Sequence, residues 1–182
     1  MISENAAIHT AIFDALCACL NLDKTSAQAV ALIHEAYAEP ENVPRPGRNR
    51  NVIYWTLLQE PGQEIPAAYN AEAGSAGSHI PVVYTTLKYQ LVIVCYGPAC
   101  EAYASRIRSM LFLDGAGFPR RILRAAGIYP VPDPPQPSIL YEEEGSLWRK
   151  RADLTISLRV REEQRGQARG SVFLAPAVVI HR

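Results

Sequence analysis

The residues that could do chemistry are scattered along this sequence. The four histidines lie far apart, without the HExxH or HxH spacing of a metal or catalytic site: His9, His34, His79 and His181. Three adjacent carboxylates at 142–144 could supply a general acid, but neighbouring side chains alternate in direction and no nearby group would orient a substrate. The glycine runs at 74–77 and 115–117 lack the following Lys-Ser/Thr of a phosphate loop, and no G-x-S-x-G nucleophile elbow occurs. The sequence therefore predicts no catalytic residue, no metal and no cofactor.

The cysteines give neither a disulfide framework nor a zinc site. Cys17 and Cys19 are two positions apart on a predicted helix and so point to different faces. Cys95 and Cys100 stand on either side of a Gly-Pro turn, without CxxC spacing. We expect all four to be free and to pack as small hydrophobic residues.

Composition limits the class of protein. The 182 residues are 48% hydrophobic and 20% charged, which is typical of a globular protein with a real core. The formal net charge is zero, so nothing draws the whole chain to nucleic acid or an anionic membrane. No apolar run approaches the roughly 20 residues of a membrane helix, and the N-terminus lacks a secretion-signal pattern.

The predicted elements are organised around residues 82–112. Apolar residues at odd positions from Val83 to Cys95 predict a strand with one buried face. Gly97-Pro98 then turns the chain directly into an amphipathic helix at 98–112. The apolar stripe of this helix should be Cys100, Tyr103, Ala104, Ile107, Met110 and Leu111.

Two helices are predicted in the N-terminal segment 3–38: one over 3–20, and a second to about Ala38, with Thr25 and Gln28 as a capping box. The Pro-rich segment 40–50 is either a linker or a stiff arm that docks on another subunit. A strand at 51–59 follows. The segment 60–81 predicts a long loop that projects beyond the sheet.

In the second half we expect a short helix, RRILRAA, with Phe118, Ile122 and Ala126 facing inward. Five prolines make 128–137 an extended crossing. The alternation from Ala152 to Val160 predicts a strand with one buried face, and Pro176 indicates an edge strand or tail at 170–182. The whole predicts a single α+β domain, its core at 51–59 and 82–162, with a mostly antiparallel sheet of about four strands packed against helices.

The order of several short motifs resembles the neck or tail terminator proteins of tailed bacteriophages. The resemblance covers about residues 40–162 and rests on these segments: Asn42-Val43-Pro44-Arg45-Pro46, Tyr96-Gly97-Pro98, Gly127-Ile128-Tyr129-Pro130, Asp133-Pro134-Pro135-Gln136-Pro137, Tyr141-Glu142-Glu143-Glu144 and Trp148-Arg149-Lys150-Arg151. The loop at 60–81 and the tail after Arg165 match nothing in that pattern.

The resemblance implies a structural virion protein of the tail or neck, assembled in the host cytoplasm. Family members form a hexameric homo-oligomeric ring that caps the tail tube and meets the head-side connector, so the implied partners are further copies, the tail tube protein and the connector. Candidate subunit contacts are Pro44, Arg45, Pro46, Arg48, Tyr129, Pro130, Asp133, Pro134, Gln136 and Trp148. DNA would pass through the ring without specific binding, and no membrane is involved.

One strand face leaves two interpretations open. Arg151, Asp153, Arg159 and Arg161 share the polar face of the last long strand. Such a mixed-sign face suits a channel lumen, and it equally suits an ordinary solvated surface. The alternatives for the whole chain are another connector or tail-completion protein, or a cytoplasmic α+β domain that binds a small ligand or acts as an enzyme.

Overall fold

A computed structural model describes residues 2–36, 47, 49–60, 65–73, 79–112, 117–144 and 147–165. Within them the chain forms four helices and seven strands. In order these are α1 (Ile2–Cys19), α2 (Ala27–Leu32), β1 (Ile33–Glu35), β2 (Val52–Gln59), β3 (Ile65–Ala73), β4 (His79–Tyr96), α3 (Cys100–Phe112), α4 (Phe118–Ala125), β5 (Ile128–Pro130), β6 (Ser138–Glu144) and β7 (Leu147–Arg165). The α+β class is confirmed, although the described sheet has more strands than the four predicted.

The sheet is mostly antiparallel, as predicted. Its order is β1-β2-β4-β7-β5, with β3 also paired to β4 and β6 also paired to β7. Strand β2 runs antiparallel to β4, from Val52 opposite Tyr96 to Gln59 opposite Tyr89. Both β5 and β6 run antiparallel to β7, and the short β1 is parallel to β2.

The chain divides into two compact units. The first comprises residues 1–63 and 87–160, and the second comprises 64–86 and 161–182. A compact unit is not by itself an independently folding domain, so the single domain stays a prediction. The predicted arm and tail lie outside the described residues, except for Gly47, Asn49 and Arg50.

The core of the first unit lies between the sheet and the helices. The predicted alternation in β7 is confirmed, because every second side chain is at most 1% exposed: Ala152, Leu154, Ile156, Leu158 and Val160. Strand β4 alternates likewise from Leu87 to Cys95. Helix α3 buries the predicted stripe, with Tyr103 and Met110 at its margin. Helix α1 adds Ile8, Ile12, Leu16 and Cys19.

The turn between β4 and α3 is as predicted, although the helix begins at Cys100 rather than Pro98. Gly97 has φ +103°, a conformation that L side chains rarely adopt. A Cβ there would lie 2.6 Å from Asn51 Oδ1 and 2.7 Å from the Arg50 carbonyl oxygen. The backbone N–H of Ala99 donates to Asn51 Oδ1 at 2.9 Å. The start of β2 therefore packs directly against this turn.

The second predicted helix is shorter than expected. It ends at Leu32, and Ile33–Glu35 form β1 beside β2, with Ile33 opposite Ile53. The predicted capping box is also wrong. Ser26 is the N-cap, and its hydroxyl accepts from the Ala29 N–H at 3.1 Å. Residues 33–35 form a strand although their pattern is helical, because pairing with β2 satisfies the same backbone groups and buries Ile33.

Two further expectations are corrected. Residues 65–73, predicted to lie in a projecting loop, form β3 along the first part of β4. Their own strand propensity is low, but residues 82–86 of β4, which are β-branched or aromatic, offer backbone partners. In α4 the expected inward residue Phe118 is 65% exposed, and Pro119 and Leu123 are buried. The other two expected residues, Ile122 and Ala126, pack against the core as predicted.

Candidate assembly surface

Strand β6 and residues 147–153 of β7 form a hairpin at the side of the sheet, here called the edge hairpin. Its register places Ile139 opposite Ala152, and Tyr141 opposite Lys150. Directly opposed residues point to the same face, as do alternate residues along a strand. One face of the hairpin therefore carries Ile139, Tyr141 and Trp148 together with the charged Glu143 and Lys150, and it is continuous with the buried face at Ala152.

This face of the edge hairpin is apolar and open to solvent. Ile139 is 37% exposed, Tyr141 63% and Trp148 67%. A single exposed large apolar residue is ordinary, but several on one pair of strands at the side of a sheet mark a protein contact surface. From the same face the Lys150 ammonium donates to Glu101 Oε2 on α3 at 2.8 Å. Both side chains of this ion pair are partly open to solvent, so it ties the hairpin to α3 only weakly.

The sheet face away from the helices carries a chain of ring and charge contacts, here called the lateral row. It runs across five strands: His34 on β1, Tyr54 on β2, Tyr96 on β4, Arg149 on β7 and Glu142 on β6. The ring centroids of His34 and Tyr54 are 5.8 Å apart, and those of Tyr54 and Tyr96 are 6.1 Å apart. The Arg149 guanidinium lies 4.4 Å from the Tyr96 ring centroid, a cation–π contact.

Hydrogen bonds tie the end of the lateral row to β7. The Tyr96 hydroxyl donates to Glu142 Oε2 at 3.0 Å, and Arg151 Nη1 donates to the same oxygen at 3.3 Å. Arg151 Nη2 also donates to Asp153 Oδ2 at 2.5 Å. The bond from Tyr96, followed by that from Arg151, lowers the pKa of the Glu142 carboxyl. The bond to Asp153 raises the pKa of Arg151, so this arginine stays charged.

A second open surface lies between α1 and α4, here called the α1–α4 groove. It is an open depression of about 490 Å³, lined mostly by alanine. Ala6, Ala7 and Thr10 line it from α1, and Ile122 and Ala125 from α4. Small side chains keep the two helices close and leave a shallow apolar floor. On this side the exposed Phe118 precedes Ile122 by four positions and so extends the apolar surface.

The structure separates the candidate contact residues predicted from sequence. Pro44, Arg45, Pro46 and Arg48 lie outside the described residues. Of the others, Trp148 is on the edge hairpin, while Tyr129 and Pro130 are on β5, with Tyr129 42% exposed and Pro130 buried. Exposed positions on the crossing to β6 are Asp133, Pro134 and Gln136. As subunit contacts all of these stay predictions.

The residues predicted for a polar face lie on β7 as expected, but in two surroundings. Arg151 and Asp153 are partly buried and paired to each other. Arg159 is exposed, opposite Tyr129 of β5. Arg161 belongs to the second unit, where its guanidinium lies 3.8 Å from the Tyr84 ring centroid. The role of this face in a channel stays a prediction.

Sequence reasoning missed the residues that make these surfaces distinctive. Ile139 and Tyr141 could have been found, since an apolar run directly before three glutamates is unusual for a solvated strand. The lateral row could not, because it joins residues that are distant in sequence and meet only through the strand order.

Reactive chemistry is not evident among the described residues. They contain no group of three or more His, Cys, Asp or Glu placed to hold a metal ion. All four cysteines are buried and free, and burial raises the pKa of Cys19 and Cys95 to about 12. His9 Nδ1 lies 2.5 Å from Glu35 Oε1, beside the Trp55 ring. No described helix combines the length and apolarity needed to cross a membrane.

Comparison with known proteins gives one assignment. The family described as "Phage neck terminator protein" has a model that matches residues 6–172, which includes nearly all of the described chain. No curated protein matches the chain.

Proposed function

Because the chain belongs to the phage neck terminator family, we propose that it is the subunit of a homo-oligomeric ring, six-membered, at the end of the tail tube. In this role it stops growth of the tube and joins it to the connector on the head side. The family makes it a structural protein of the virion neck. We propose the ring itself, its six subunits, and its contacts with the tail tube and with the connector.

The observation that carries self-assembly is the apolar face of the edge hairpin. Ile139, Tyr141 and Trp148 lie together at the side of the sheet, exposed in the isolated chain. Aromatic residues are enriched at subunit contacts because they remove a large apolar area from water. Contact with another protein would remove this apolar surface from water and would therefore be favourable. In a ring, the protein that makes this contact is a further copy of the chain.

The polar face of β7 supports the passage of DNA without specific binding. A tight grip on DNA needs arginines and lysines free to contact phosphates. On this face Arg151 is already paired with Glu142 and Asp153. The Arg161 guanidinium lies on the Tyr84 ring, so among the described arginines of this face only Arg159 is exposed without a partner. A channel lined by such paired charges would neither attract nor repel the DNA phosphates strongly, so DNA could pass through it. We also propose that the Pro-rich arm at 40–50 contacts a neighbouring subunit of the ring.

The test combines mass measurement with electron microscopy. The purified chain should form closed rings, either alone or only when mixed with tail tubes of the source phage, and those tubes should stop growing. Tubes capped in this way should then join filled heads. A stable monomer that neither associates with tubes nor caps them would overturn the proposal. Rings that bind heads but never tubes would instead indicate another connector component.

A further inference from the structure

We infer that the edge hairpin of one copy docks in the α1–α4 groove of the next copy. The inference rests on the proposed ring and names the contact that closes it. Both surfaces lie in the first compact unit of the same chain, so each copy carries one hairpin and one groove. We take the occupant of the groove to be the hairpin of a second copy of this chain.

The two surfaces match in apolar character. The groove has an alanine floor with Ile122 at one side, and the exposed Phe118 lies about one helical turn before Ile122 on α4. The hairpin offers the exposed aromatic side chains of Tyr141 and Trp148, which lie on one face of two paired strands. A volume of about 490 Å³ is large enough to receive aromatic side chains. Flat rings on a shallow alanine floor bury apolar area without displacing either backbone.

Charge sets the orientation of the contact. The exposed Glu143 shares the hairpin face with Tyr141 and Trp148. On α4 the exposed Arg121 precedes the groove residue Ala125 by about one helical turn, which puts it on the same side of the helix. Within the described chain neither Glu143 nor Arg121 has an ion-pair partner, whereas Asp14 on the α1 side is already paired with Lys24 at 2.5 Å. The open basic position on the groove therefore meets the open acidic position on the hairpin.

The contact uses different surfaces on the two copies, so it is heterologous. Such contacts repeat head to tail and close into a ring when the rotation allows, whereas a contact of like with like stops at a dimer. The hairpin–groove contact therefore predicts oligomers larger than two, linked in one direction around the ring. This distinguishes it from simple pairing of two exposed hairpins.

The first test reverses charges. Glu143→Arg and Arg121→Glu, each in the full chain, should weaken ring formation at least tenfold, and the double variant should restore most of it. Trp148→Ala should weaken it about thirtyfold or more, as expected for a central aromatic contact. Val30→Ala is the control, since it changes an exposed apolar residue elsewhere. Assembly is measured by mass photometry, and on tail tubes by electron microscopy.

The second test is a crosslink. Because all four native cysteines are buried, Glu143→Cys combined with Arg121→Cys adds the accessible pair. Mild oxidation of assembled protein should give a ladder of linked subunits up to the full ring, while Glu143→Cys with Val30→Cys should not.

The outcomes separate the two proposals. Wild-type rings, with single reversals that assemble normally or a double cysteine variant that gives no ladder, overturn the hairpin–groove contact and leave the ring intact. A ladder that ends at the dimer also overturns it. A wild type that never forms rings, with or without tubes, overturns the proposed function and this inference together.

Discussion

Replacing Gly97 tests the turn on which β4 and α3 depend. At φ +103° any L residue is strained, and a new Cβ meets Asn51 Oδ1, the Arg50 carbonyl oxygen and Asn51 Cα at 2.6, 2.7 and 2.9 Å. Two of these three atoms belong to the backbone of the segment that leads into β2. A side-chain rotation cannot remove such clashes, so the strand itself must move.

The magnitude follows from three contributions. The left-handed conformation costs a non-glycine residue about 1–2 kcal/mol. Overpacking against backbone costs about 1–3 kcal/mol. Moving Asn51 also breaks the bond from Ala99 N–H to its Oδ1, worth about 0.5–1.5 kcal/mol. Gly97→Ala should therefore lower the free energy of unfolding by about 3–6 kcal/mol, out of the roughly 5–15 kcal/mol typical of natural proteins. Gly97→Val, which adds two further methyl groups to that Cβ, should prevent folding.

The assay is urea unfolding followed by circular dichroism, with Gly47→Ala as the control. A Cβ at Gly47 meets nothing within 4 Å, so that variant should stay within about 0.5 kcal/mol of wild type. Gly97→Ala within 1 kcal/mol of wild type, or a soluble and fully assembling Gly97→Val, would refute the account of this turn.

Three other expectations concern a cap, a carboxylate and two thiols. Ser26→Ala removes the N-cap bond of α2 and should cost about 0.5–2 kcal/mol in urea unfolding; Ser26→Asp should restore most of it, and an unchanged midpoint in the alanine variant would contradict the cap. The folded-state pKa of Glu142 is lowered, first by the bond from Tyr96, so its contribution is present above the unfolded pKa of about 4.3 and lost as pH falls through the lower folded value. Glu142→Gln should therefore flatten the acid side of a plot of Tm against pH, and a plot that keeps the wild-type slope there would contradict it. Burial raises the pKa of Cys19 and Cys95 to about 12, so neither should react with a thiol reagent at pH 8 until the chain unfolds; fast labelling of the native protein would refute their burial.

The sequence predicted best where one physical rule acts alone. The alternation from Ala152 to Val160 and the stripe from Cys100 to Leu111 each follow from burying one face of a regular element, and both are confirmed. The turn at Gly97 was also predictable, since few other residues fit between a strand and a helix there. Local pattern was sufficient in these places.

Prediction failed where a distant partner decides the structure. Ile33–Glu35 continue a helical pattern but pair with β2, and 65–73 become a strand because β4 extends beside them. Phe118 was expected inside, whereas Leu123 is buried. In the candidate surface, Trp148 could be proposed from its motif, but its proximity to Tyr141 depends on the register of β6 and β7. Register and strand order are tertiary facts that one sequence does not display.

The lateral row has a mechanical consequence. It crosses several strands: three of its contacts join neighbouring strands, and the bond from Tyr96 to Glu142 joins β4 to β6, which pair with β7 but not with each other. Sliding one strand along its neighbour by a single residue would turn Tyr96 or Glu142 to the opposite face and part them from their partners. These contacts therefore resist the sliding of one strand along another. A subunit of the proposed ring would thereby be stiffened in the direction in which its strands slip most easily.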